Sequence, residues 1–78
     1  MPVSPRIFSQ RLNHCMNEFD APESARERAV ILSKMIDIPK QLAWSYIEGH
    51  QFPDEPNLKK IASEFEVDPK WLLGEIEK

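Results

Sequence analysis

Five apolar stripes at helical spacing, each opened by a capping residue or a proline, predict an all-α, compact five-helix fold, a single domain over residues 1–78. Two further observations agree. No segment alternates apolar and polar residues with period two over a useful length, so strands are not expected. Hydrophobic residues make up 41% of the chain, enough to build a core and too many for a disordered segment.

The elements follow from their punctuation. Ser4-Pro5 reads as an N-cap followed by proline at the first helical position. Phe8, Leu12, Cys15, Met16 and Phe19 then recur at helical spacing, giving a first helix over about 5–18, broken by Asp20-Ala21-Pro22. Ser24-Ala25-Arg26-Glu27 is a capping box, and Ala25, Ala29, Leu32 and Ile36 share one face of a second helix over about 25–36. Pro39 stops that helix and opens a third, over about 39–48, which Gly49 closes. Pro53 and Pro56 mark the next connection. Asp54 or Asn57 can cap a fourth helix, about 57–66, carrying Leu58, Ile61, Ala62 and Phe65. Asp68-Pro69 repeats the cap-then-proline signal for a fifth, about 69–76, holding Trp71, Leu72, Leu73 and Ile76. Stripes this short must bury one another, and no internal repeat or low-complexity tract interrupts them.

Composition narrows the function classes. A lone cysteine, Cys15, excludes an internal disulfide framework and fits a reducing, cytoplasmic compartment. The opening Met1-Pro2-Val3-Ser4-Pro5 resembles neither a signal peptide nor a membrane span, so the mature protein is expected to be the whole chain and free of the membrane. His14, Cys15 and His50 are the only soft metal-ligand types. Adjacent on a helix, His14 and Cys15 point apart, so no metal site is expected. With two glycines there is no phosphate-cradling loop, and the carboxylates show no nucleophile–base spacing. No cofactor and no enzymatic activity are expected.

The formal charge is −3, and its distribution is uneven. Residues 25–53 carry Arg26, Arg28, Lys34 and Lys40 against Glu27, Asp37 and Glu48, whereas residues 54–78 carry four lysines against seven acids. The middle of the chain is mildly basic and the C-terminal end acidic, a polarity that suits one face turned toward phosphate.

The stretch Leu32–Gly49, LSKMIDIPKQLAWSYIEG, resembles the helix-turn-helix of Cro proteins, phage repressors and related bacterial regulators, the XRE-like or lambda-repressor-like family. Leu32 and Ser33 match its leucine–small pair, Ile36 and Ile38 bracket the turn, and Ala43 and Ile47 take the inward positions of the following helix. Gly49-His50-Gln51-Phe52-Pro53, Asn57–Ala62 and Val67–Leu73 resemble the family's downstream segments at matching intervals, so the likeness covers about residues 5–76. Three positions depart from the pattern. Asp37 stands where the turn usually has glycine, Ala29 where a phosphate-contacting glutamine is common, and Trp44 where a smaller or polar residue is usual.

The resemblance implies a lambda-repressor-like DNA-binding domain in which helices 2 and 3 form the helix-turn-helix, and a transcriptional regulator or repressor that binds double-stranded DNA. Its third helix would enter the major groove, with Pro39, Lys40, Gln41, Trp44 and Ser45 outward. Lys40, Gln41, Trp44 and Ser45 are then the base-contacting candidates, and Arg26, Arg28, Lys34, Lys59 and Lys60 the phosphate-contacting ones. One module offers few base contacts, so a homodimer on a palindromic operator is expected, with Leu73, Ile76 and then Ile31 as the dimer-interface candidates. Each residue also has a plainer reading: Lys40 and Gln41 as solvated positions of an exposed helix, the basic residues as a solvated face, Trp44 as partly core. The rival function is a helix-turn-helix fold used to bind protein through Trp44, as an antirepressor, an antitoxin-like partner or an assembly factor.

Overall fold

The computed structural model describes residues 4–77 and comprises five helices: α1 (Pro5–Glu18), α2 (Ala25–Ile36), α3 (Lys40–Glu48), α4 (Glu55–Phe65) and α5 (Pro69–Leu73). No strand occurs among the described residues. The predicted caps form. Ser4 Oγ accepts from the Ile7 amide, and Ser24 Oγ accepts from that of Glu27. Asp54 rather than Asn57 caps α4, accepting from the Asn57 amide at 2.9 Å. The helix therefore starts at Glu55, two residues before the expected boundary, because proline in the first turn needs no donor. Asn57 is instead buried, donating through Nδ2 to the Tyr46 hydroxyl at 3.1 Å.

Every helix ends in the same way. Asp20, Asp37, Gly49, Glu66 and Gly74 take positive φ values of 58°, 58°, 78°, 56° and 92°. In each case the next amide, that of Ala21, Ile38, His50, Val67 or Glu75, reaches back five residues to a carbonyl of the last turn. Ala21, Ile38 and Val67 then pack against the core. Gly74 shortens α5, which stops at Leu73 instead of running to Ile76. A Cβ at Gly74 would lie 2.6 Å from Ile7 Cγ2, so α1 and the end of α5 meet where only glycine fits.

The core is one cluster drawn from all five helices, including Phe8, Leu12, Met16, Leu32, Ala43, Tyr46, Ile61 and Leu72. Phe8 and Tyr46 meet edge to face with ring centroids 5.8 Å apart. Burial pushes the Tyr46 hydroxyl above its ordinary pKa; the hydrogen bond from Asn57 opposes this and Asp54 adds to it. A raised folded-state value means that the contribution of the neutral phenol is complete below about pH 10 and is lost as pH rises through the folded value. Phe19, expected on the apolar stripe of α1, falls at its C-cap and is 57% exposed.

A polar network ties the first three helices together. Arg28 on α2 is only 6% exposed. Its Nε donates to the Pro22 carbonyl at 2.5 Å, its Nη1 to Asn13 Oδ1 at 2.8 Å, and its Nη2 to Asn17 Oδ1. Asn13 passes the connection on, donating through Nδ2 to the Ile47 carbonyl of α3 at 3.1 Å, which also accepts from Ser9 Oγ. No buried side-chain polar atom among the described residues lacks a partner.

Two outcomes test this reading. Asp37→Gly relieves a left-handed, side-chain-bearing residue and should raise unfolding free energy by about 0.5–1 kcal/mol in urea titration. Arg28→Met removes the donors of three part-buried, charge-assisted hydrogen bonds and should lower it by about 1–3 kcal/mol, shifting the midpoint while leaving the slope unchanged.

Candidate nucleic-acid interface

The turn between α2 and α3 sets the exposed N-terminus of α3. Left-handed Asp37 ends α2, Ile38 tucks against the core, and Pro39 stands as N-cap with extended backbone and no side-chain cap bond. The first-turn N–H groups of α3 thus have no capping side chain, the arrangement in which a helix N-terminus is open to an anion. Ala43, Tyr46 and Ile47 face the core, which turns Lys40, Gln41 and Trp44 outward.

Those three residues line one shallow cleft with Arg26, Ala29 and Val30 of α2. Its floor is apolar, because Ala29 is buried and Val30 half-buried. Arg26 and Lys40 supply positive charge from the two sides, and Gln41 contributes an amide. The lining contains no carboxylate. Trp44 is 41% exposed, and its ring meets His50 edge to face at 5.0 Å. The tryptophan therefore lies outside the core, against His50. Ala29, a short side chain, lies between Arg26 and Val30 in this lining.

The remaining sequence candidates fall elsewhere. Ser45 is half-buried and its hydroxyl donates to the Leu42 carbonyl at 2.7 Å, so it is not a free base-reading group in this conformation. Arg28 is withdrawn from the phosphate-contacting set, because its guanidinium is committed to internal acceptors. Lys34 is exposed in the last turn of α2. Lys59 and Lys60 line a different recess with Met35, Ile36, Asp37, Ser63 and Glu64, and Lys59 sits 4.0 Å from Glu55. Of the dimer candidates, Ile31 and Leu73 pack partly against the core and Ile76 is half-buried beside the α1–α5 contact. Among the described residues, the large apolar side chains left exposed are Phe19, Trp44 and Phe52.

Neither a family model, a curated protein nor a solved structure shows significant similarity to the chain.

No three His, Cys, Asp or Glu side chains gather as a metal would require among the described residues, and no described helix is long and apolar enough to cross a membrane. Cys15 is buried, and burial first, then the nearby Glu18 carboxylate, raise its thiol above the usual range. The thiolate is the reactive form. Iodoacetamide at pH 8 should therefore alkylate the native chain at least about tenfold more slowly than the chain in denaturant, as followed by mass spectrometry.

Proposed function

We propose that the chain is a sequence-specific DNA-binding transcriptional regulator of the Cro/repressor helix-turn-helix type, acting as a homodimer on a palindromic operator. The observation that carries this reading is the cleft at the start of α3, where Arg26, Lys40, Gln41 and Trp44 converge on an apolar floor without a carboxylate. A helix fits the major groove, and its N-terminal side chains meet base edges. Lys40 donates to guanine O6 and N7 or to a phosphate, and Gln41 pairs with adenine through N6 and N7. Trp44 packs on thymine methyl groups or sugars, while Arg26 and Lys34 lie on phosphates beside the groove. The helix N-terminus and its unengaged amides add an anion-binding contribution. Lys59 and Lys60 remain phosphate candidates for the flanking backbone.

The total charge of −3 sets the character of the binding. Distant acidic residues repel the duplex, so non-specific affinity is weak and discrimination rests on the cleft. With about 3–5 phosphates neutralised per subunit, affinity still falls steeply with salt. The alternative reading, docking of a protein through Trp44, draws on the exposure of that ring.

Selection from randomised duplexes at low salt should enrich one motif with two-fold symmetry. Lys40→Ala with Gln41→Ala should then abolish specific binding, about 100-fold or more, without lowering the thermal midpoint, because both side chains are exposed. Enrichment of no motif at micromolar protein would overturn the proposal. On the protein-docking alternative, Trp44→Ala would instead break a complex while DNA affinity stays negligible.

A further inference from the structure

A second groove, unrelated to the α2–α3 cleft, runs between the C-terminal half of α1, the end of α4 and the start of α5. It has a volume of about 480 Å³ and is lined by His14, Cys15, Glu18 and Phe19 on one side, with Phe65, Val67, Asp68 and Trp71 on the other. That is within the about 300–1,000 Å³ of ligand-binding clefts. Phe19 forms one lip. Its ring is held edge to face on Phe65 at 5.0 Å, yet it is the most exposed of the large hydrophobic side chains described. Trp71 forms the opposite wall, fixed by His14 across 6.3 Å and by the Arg11 guanidinium 5.1 Å from its ring centroid. An exposed aromatic over a preformed apolar cleft is the anatomy of a protein-docking anchor.

Charge says what docks there. The lining carries two carboxylates, Glu18 and Asp68, and neither lysine nor arginine. Arg11 keeps its charge but does not line the groove: its guanidinium is held beside the Trp71 ring by the carbonyls of Trp71 and Ile76 at 2.5 and 2.6 Å. Two helix C-termini, the negative ends of their dipoles, also meet at the Phe19–Phe65 contact. Neither α1 nor α4 has a basic residue in its last turn to offset this. Acids stand there instead, Glu18 and Asp20 at the end of α1 and Glu66 at that of α4, while Glu64 lines the separate recess with Lys59 and Lys60. This negative potential is unfavourable in the isolated chain and favourable once a cation lies over the rim.

We infer that this groove docks a basic amphipathic helix of a partner protein, its apolar strip seated between Phe19 and Trp71 and its lysines or arginines over Glu18 and Asp68. A second copy of the chain fits poorly. An isologous contact would set each acidic rim against its own copy in a molecule already at −3. An anionic lipid surface is repelled for the same reason. The inference goes beyond the DNA reading and does not depend on it, since the two clefts share no lining residue.

The test uses the full chain, isotopically labelled, and two synthetic helical peptides sharing one leucine-rich face, with lysine on the polar face of one and glutamate on that of the other. The lysine peptide should bind with micromolar Kd by calorimetry and perturb the amides of Cys15, Phe19, Val67 and Trp71. The glutamate peptide should bind at least about tenfold more weakly. Phe19→Ser and Glu18→Lys should each weaken the lysine peptide about five- to tenfold. Glu18→Lys places a cation at a helix C-terminus, so unfolding does not account for its loss. Equal binding of both peptides, no binding at millimolar peptide, or perturbations at Lys40 and Gln41 instead would overturn the inference. So would a concentration-dependent dimer in ultracentrifugation that Phe19→Ser abolishes, because a second copy would then be the occupant.

Discussion

The arrangement of the first three helices depends on one buried cation held without a counter-ion. Arg28 has no carboxylate among its acceptors; a proline carbonyl and two asparagine side chains receive its protons. Burying a guanidinium is expensive unless its fork of donors is filled, and here the fork is filled by groups that cannot be protonated away. The connection continues because Asn13 is bifunctional. With its oxygen turned to Arg28, its amide nitrogen must face the last turn of α3, where it meets the Ile47 carbonyl. Lysine has the same charge and no fork, so it is not an equivalent occupant. Directional bonds of this kind fix the relative positions of α1, α2 and α3 more narrowly than apolar contact alone.

Much of this architecture was legible in the residues. The serine and aspartate caps, the proline-led starts and the apolar stripes placed all five helices, two of them to the residue at both ends. What could not be read has a physical cause in each case. Glu66 and Asp20 adopt a backbone state that local preference assigns to glycine, because the core contacts of Val67 and Ala21 compensate for it. Gly74 does carry the glycine signal, but the apolar run through Ile76 masked it. Arg28 and Phe19 exchanged the places expected of them. The arginine lies on the inward side of a polar seam, and the phenylalanine falls one residue past the end of its helix. Neither fact is local to the residue itself.

The candidate site was legible in part for the same reasons. Lys40, Gln41 and Trp44 follow from helical periodicity, because Ala43, Tyr46 and Ile47 must face inward. The company of Arg26 from the preceding helix depends on how two helices are set against each other, which spacing in one helix does not encode. The groove at Phe19 and Trp71 is a tertiary product entirely. Its parts come from three helices and more than fifty residues of chain. The two linings thus differ in charge: Arg26 and Lys40 border the α2–α3 cleft, and Glu18 and Asp68 the groove beside α5.

The contact at Gly49 bears on how α3 is set against α1. A Cβ there would approach the Ser9 Cβ to 3.1 Å and the Arg6 Cα to 3.4 Å, so the far end of α3 rests almost backbone to backbone on α1. A side chain at this position would have to displace Ser9 or shift α3 against α1. If the tip of α3 meets a duplex as proposed, its pitch would depend on a spot outside the proposed contact surface, and a change there would alter recognition with Lys40, Gln41 and Trp44 left in place.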